Sequence, residues 1–111
     1  TIADEIFPEY RKRVDFIQKY IFPGGMLPSK KALEKQFLQV GLKSINLKSF
    51  GSSYSKTLRL WHSSFNSVWD DIASVKFDDR FKRMWNFYLA SCAAVFHSKT
   101  GDVIQVTLKK S

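Results

Sequence analysis

Side chains able to hold a metal or activate a nucleophile are few in this chain, and they are scattered. His62 and His97 are the only histidines, 35 positions apart, and neither has a cysteine or carboxylate at a metal-binding interval. Cys92 is the single cysteine, so an internal disulfide and a Cys-based zinc site are both excluded, and no metal ligand is assigned. The pairs Asp70-Asp71 and Asp78-Asp79 are adjacent, hence on diverging helical faces, and read as surface and capping residues rather than an acid–base pair. A Gly-x-Ser-x-Gly elbow, a Gly-x-Gly-x-x-Gly run and a P-loop are all missing. Neither triad hydrolysis nor a nucleotide cradle built by this chain alone is expected.

What stands out instead is aromatic. Phe81, Trp85, Tyr88, Cys92 and Phe96 recur at helical spacing behind the basic Arg80, Lys82 and Arg83. Steps of four along a helix drift by only about 40°, so Tyr88, Cys92 and Phe96 lie in one row. Such a row either packs a core or lines a long apolar ligand tunnel, and the pattern alone leaves both open. Tyr54, Leu58 and Trp61 share a second face, and Tyr54 follows Phe50-Gly51-Ser52-Ser53 at the start of its helix. A phenol there can donate to an anion that the free backbone N–H groups also favour.

The elements that must position these faces follow from the period of the apolar residues. Tyr10, Val14, Ile17 and Ile21 predict an amphipathic helix over 9–20, stopped by Phe22-Pro23-Gly24-Gly25. Pro28-Ser29 opens a second helix through Val40, with Gly41 in the C-cap place; which of the two caps it is left open by the sequence. Residues 42–50 alternate as a half-buried strand with Ile45 and Leu47 on one face and Lys43 and Lys48 exposed. Residues 53–75 return to the helical period, Asp78-Asp79 caps a helix over 79–97, and the β-branched run 102–109 follows a turn at Thr100-Gly101. The expected order is α-α-β-α-α-β, mostly helical with two strands, in a single domain over 1–111. Two strands leave their outer edges unpaired and offer four helices little sheet. Either the helices carry the core, or further strands lie on a segment ahead of Thr1; the missing initial Met makes a piece of a longer protein the expectation. Self-association through the open strand edges is expected too.

Eighteen Lys and Arg against ten Asp and Glu give a formal charge of +8, which asks for an acidic partner such as an anionic membrane surface or a nucleic acid. The cations never form a block of five, and no Cys/His finger, aromatic RNP box or heptad array is present. No apolar run approaches the ~18 residues of a membrane span, and the opening residues lack signal-peptide character. With one cysteine, a reducing, cytoplasmic setting is expected.

Four blocks then define a resemblance. Phe22-Pro23-Gly24-Gly25-Met26-Leu27-Pro28-Ser29, Phe50-Gly51-x-x-Tyr54-x-x-Thr57-Leu58-x-x-Trp61, Phe81-x-Arg83-Met84-Trp85-x-x-Tyr88-Leu89-x-x-Cys92-x-Ala94-x-Phe96 and Gln105-Val106 occur in this order. From about residue 9 to 109 the chain resembles the C-terminal portion of the cyclopropane-fatty-acyl-phospholipid synthase family. The resemblance implies the C-terminal part of a Rossmann-like α/β methyltransferase. It further implies transfer of a methylene group from S-adenosylmethionine to a cis double bond of an unsaturated phospholipid acyl chain; some relatives add a methyl group instead. Tyr54 matches a tyrosine that helps hold bicarbonate, the proton acceptor. Val14, Phe22, Leu27, Leu58, Tyr88, Cys92 and Phe96 match positions lining the acyl pocket. The family's cofactor loop, catalytic cysteine, glutamate and histidine lie upstream and have no counterpart here, so Cys92 is a pocket position, no residue of this chain is assigned to the cofactor, and the chain alone is expected to be inactive. Ala93 stands where many members carry an acidic residue, which shifts pocket polarity. The implied setting is the cytoplasm, peripheral to the inner face of the membrane, without nucleic acid. The rival reading is a free-standing basic helical module that binds anionic lipid or nucleic acid without catalysis.

Overall fold

A computed structural model describes Thr1–Ser111. Its elements are α1 (Phe7–Tyr10), a π-helical turn (Ile17–Ile21), α2 (Lys30–Gln39), β1 (Leu42–Ser49), α3 (Gly51–Ser67), α4 (Trp69–Ile72), α5 (Asp79–His97) and β2 (Ile104–Lys110).

The helix predicted over 9–20 does not form as one piece. Asp15 interrupts it: its Oδ1 accepts from the Gln18 N–H at 2.9 Å while Gln18 Oε1 accepts from the Asp15 N–H at 3.0 Å. This reciprocal cap starts a new turn and competes with continuation of the first. The Phe22 N–H reaches back to the Ile17 carbonyl, 2.8 Å, closing the wider π turn just before Pro23. Two further bonds fasten the segment. Gln18 Nε2 donates to the Gly25 carbonyl, 2.9 Å, and the Leu27 N–H to the Tyr10 hydroxyl, 3.0 Å.

The second helix forms as expected, and Ser29 is its cap, accepting from the Ala32 N–H at 3.1 Å. Gly41 follows at φ +75°, a conformation that favours glycine. The helix expected over 53–75 starts earlier, at Gly51, and breaks at Val68 into α3 and the single turn α4. Asn66 Nδ2 donates to the His62 carbonyl and Ser67 Oγ to the Ser64 carbonyl, both at 2.8 Å. These side chains occupy the last carbonyls of α3, which weakens its continuation. Asp78 caps α5 by accepting from the Phe81 N–H, 3.0 Å.

β1 and β2 pair antiparallel from Leu42↔Lys110 to Ser49↔Ile104, with a bulge that leaves Ile45 without a partner in the register. The expected half-buried face of β1 is not realised. Ile45 is 56% and Leu47 37% exposed, because the bulge interrupts the period of two and a two-stranded sheet supplies little cover.

The core sits between α3 and α5, which run antiparallel. Leu58, Leu89 and Ala93 are its centre, and the buried Ser55 hydroxyl donates across it to the Ala93 carbonyl at 2.8 Å. It is thin, with nine of 111 residues buried. A compact monomer of 12.9 kDa exposes about 6,300 Å² by size scaling, whereas this chain exposes 8171 Å² over extents of 53 × 28 × 24 Å. The exposed residues include large apolar ones, among them Leu38, Val40, Leu60 and Phe87.

Candidate functional site

Tyr54 lies in the first turn of α3, its N–H on the Phe50 carbonyl at 3.2 Å. Its half-buried ring stands edge-on to Phe96, centroids 5.0 Å apart, and to Trp61, 5.8 Å. Three polar groups beside it are committed: the Gly51 N–H to Asp102 Oδ1, the Ser55 hydroxyl to the Ala93 carbonyl, the Thr57 hydroxyl to the Ser53 carbonyl. The Tyr54 hydroxyl is not.

Tyr54, Tyr88, Cys92 and Phe96 all pack against the Leu58–Leu89–Ala93 centre. The row on α5 and the face on α3 therefore meet, and the sequence reading of two separate faces becomes one wall. Trp85 extends it, 5.0 Å from Tyr88 and stacked at 5.8 Å on Phe81. Leu58, 1% exposed, forms the floor of this wall rather than its surface. Phe22 reaches the wall from the segment in front of α2, its ring 6.2 Å from that of Tyr88, but it is 57% exposed and stands at the rim. Val14 and Leu27 are not brought in. Val14 is 73% exposed, because it falls in the non-helical stretch ahead of the Asp15 cap, and Leu27 is 45% exposed.

The wall is electrically neutral. Burial, and then the neighbouring Cys92 and Tyr54 charges, push the Tyr88 phenol above its ordinary value. Burial, and then the Asp15 carboxylate, push the Cys92 thiol up to about 11. At neutral pH these groups are therefore uncharged; the wall presents π faces and weak donors, not a nucleophile.

One expectation about Tyr54 is corrected. The α3 N-terminus already has its anion, since Asp102 Oδ1 accepts from the Gly51 N–H at 3.0 Å while Oδ2 pairs with Lys30 at 2.8 Å. Nothing in the sequence around Asp102 marks it; it reads as the first residue of a strand. The fold also brings His62 and His97 to one groove of about 330 Å³ between α3 and α5, with Arg59 beside them. No cluster of three metal-capable side chains exists.

The glycines are spent on the chain's own packing. A Cβ at Gly51 would lie 2.7 Å from Asp102 Oδ1 and one at Gly101 2.6 Å from Val95, while Gly24 and Gly41 occupy positive-φ turns. No glycine-lined backbone is left to approach a nucleotide.

The arrangement is that of the C-terminal part of a Rossmann-like methyltransferase fold. It superposes on the mycolic acid cyclopropane synthase CmaA1, solved with SAH and CTAB, at a TM-score of 0.81 and 28% identity, covering 96% of this chain and 36% of that one. The cyclopropane synthase MmaA2 from Mycobacterium tuberculosis gives 0.77 and 28%, covering 91% and 34%. The mycolic acid cyclopropane synthetase family model matches residues 2–106, and the chain belongs to that family. Tuberculostearic acid methyltransferase UfaA1 of Mycobacterium tuberculosis is 45% identical over 94 residues, 84% of this chain and 22% of the relative. The cyclopropane-fatty-acyl-phospholipid synthase of Escherichia coli is 35% identical over 95 residues, 86% and 24%. The chain thus spans about a quarter of the length of these relatives.

Proposed function

We propose that this chain is the C-terminal, acyl-binding part of an S-adenosylmethionine-dependent enzyme that transfers a methylene group to the cis double bond of a phospholipid acyl chain. The observation that carries this reading is the wall of Tyr54, Tyr88, Cys92 and Phe96 on the Leu58–Leu89–Ala93 centre, apolar with phenol and thiol tips. The CmaA1 structure that it resembles holds CTAB, an alkyl-chain amphiphile, together with SAH. No glycine-lined loop is left here to cradle S-adenosylmethionine, since every glycine is committed or in a turn, and in this reading its binding falls mostly to the remainder of the enzyme.

In this reading the rings of Tyr88, Phe96 and Trp85 present their faces to the cation that forms when a methyl group adds to the double bond. Bicarbonate, when bound, supplies the base for the proton lost on ring closure. The uncommitted Tyr54 hydroxyl fits as one donor toward that anion; the Gly51 N–H does not, being held by Asp102. Cys92, neutral at physiological pH, packs the wall and takes no proton.

A second reading shares the site but ends in a methyl branch rather than a ring; the higher identity to a relative named methyltransferase, 45% against 35%, favours it. Expressing the intact protein that carries this chain in cells without such activity, and analysing their fatty acids, tests both. A cyclopropane acyl chain supports the first reading and a methylated one the second. Unmodified acyl chains from a folded protein that binds S-adenosylmethionine overturn both.

No helix is long and apolar enough to cross a membrane. The +8 charge instead supports peripheral attachment to the anionic inner face of the membrane. Binding to anionic vesicles that weakens with salt is the expected result, and equal binding to neutral vesicles overturns it.

A further inference from the structure

Four elements meet at one carboxylate. Asp102 leads into β2; its Oδ1 accepts from the N–H of Gly51, the first residue of α3, at 3.0 Å. Its Oδ2 pairs at 2.8 Å with Lys30, the first residue of α2, and the same Lys30 Nζ donates to Ser49, the last residue of β1, at 3.0 Å. The Phe50 N–H adds a bond to the Val103 carbonyl at 2.9 Å. Gly51 is fitted to this junction, because a Cβ there would lie 2.7 Å from Asp102 Oδ1 and 3.1 Å from its Cα. A carboxylate at a helix N-terminus is favoured by the helix dipole as well as by the bond it accepts.

Tyr54 stands one turn beyond this anchor, and its far partner is tied to the same place. Phe96, which meets the Tyr54 ring, lies in the last turn of α5, and the chain returns from there through a bond of 3.2 Å from the Gly101 N–H to the Val95 carbonyl. The backbone that carries Tyr54 and the helix end that flanks it therefore converge on Gly101-Asp102. We infer that Asp102 is a positioning residue for Tyr54: by holding the N-terminus of α3 against the start of β2, its carboxylate sets where the Tyr54 hydroxyl stands, without touching substrate. The inference rests on the reading of Tyr54 given above.

The test is a double-mutant cycle in the intact enzyme, joined to a readout that does not depend on turnover. Tyr54→Phe should lower turnover ten- to a hundredfold. Asp102→Asn, which keeps the side-chain shape and one acceptor for the Gly51 N–H, should lower it severalfold, and Asp102→Ala about tenfold, with S-adenosylmethionine affinity unchanged. In the Tyr54→Phe background either Asp102 substitution should add little, because it acts through a hydroxyl already absent. Independently, Asp102→Asn should shift the ring resonances of Tyr54 in tyrosine-labelled protein while those of Tyr10 and Tyr20 stay in place. Asp102→Asn serves where the alanine variant does not fold. Losses that multiply in the double variant, or unshifted Tyr54 resonances, overturn the positioning role. An unaltered turnover in Tyr54→Phe overturns the reading of Tyr54 instead, whatever the resonances show.

Discussion

The ring of Phe96 meets that of Tyr54 edge-on, with centroids 5.0 Å apart and planes at 89°, although 42 residues separate them. The contact closes the end of the α3–α5 pair that faces the sheet, and it holds the phenol by its ring while leaving the hydroxyl uncommitted. Edge-to-face pairs add about 0.5–1.5 kcal/mol beyond area burial. Phe96→Leu keeps most of the apolar volume and loses that geometry, so a drop of about 1 kcal/mol in unfolding free energy by urea titration is expected. An unchanged midpoint would show that the pair contributes only contact area.

Tyr54→Phe preserves both ring contacts and, on the proposed reading, removes one hydrogen bond to bound bicarbonate, a charged acceptor, with a net value of about 1.5–3 kcal/mol. Because 1.36 kcal/mol is a factor of ten in rate, turnover of the intact enzyme should fall about ten- to a hundredfold if the bond is made in the transition state. Its dependence on bicarbonate concentration should weaken in parallel. Turnover and bicarbonate dependence that match the parent enzyme would reduce Tyr54 to a packing residue.

Much of this architecture was legible from residue types. The helix start at Pro28-Ser29, the Asp78 cap, the Gly41 stop, both strands and the Tyr88–Cys92–Phe96 row each rest on a local signal that the fold respects, although which of Pro28 and Ser29 caps α2 was settled only by the structure. The two helix misreadings share a cause. Asp15 and Gln18 turned a continuous helical period into two turns through side-chain to backbone bonds, and Asn66 and Ser67 did the same beyond α3. Periodicity counts apolar positions and does not see that competition. Val14 left the site through the first of these breaks. The junction at Asp102 is invisible for another reason, since its partners Lys30, Ser49 and Gly51 are brought together only by tertiary packing.

Asp102 also makes the fold acid-sensitive. Burial raises its carboxyl pKa, but the hydrogen bonds from Lys30, Ser49 and Gly51 outweigh it and hold the group below its ordinary 3.8. A carboxyl depressed in the folded state contributes stability that is complete above the ordinary carboxylate range and disappears as pH falls through the folded value. Urea midpoints taken from about pH 6 downward should therefore fall less steeply below about pH 4 in Asp102→Asn than in the parent chain. Parallel acid limbs would mean that the group is not depressed.

Cys92 should react slowly despite being partly exposed. With its thiol at about 11 instead of 9.0, the thiolate fraction at pH 8 is about one in a thousand rather than about one in ten. Alkylation by iodoacetamide, which needs the thiolate, should run about a hundredfold slower than for a free thiol. Asp15→Asn removes the charge that adds to the burial effect, and it should speed the reaction without touching the wall. A rate equal to that of a free thiol would place Cys92 outside the apolar surroundings described.

The sheet supplies the last prediction. β1 and β2 pair only with each other, so each strand keeps one open edge. Beside them lies a bare apolar surface that includes Ile45 and Leu47. Open, β-branched edges recruit further strands, and the exposed area well above that of a compact chain of this mass points the same way. At tens of micromolar the 111-residue chain should sediment as a dimer or larger species. Ile45→Lys with Leu47→Lys places two charges on the bare face without entering the core, so association should weaken while the α3–α5 pair stays folded. A clean monomer for the parent chain, with β2 protected from hydrogen exchange, would show that the two-stranded sheet is sufficient unto itself.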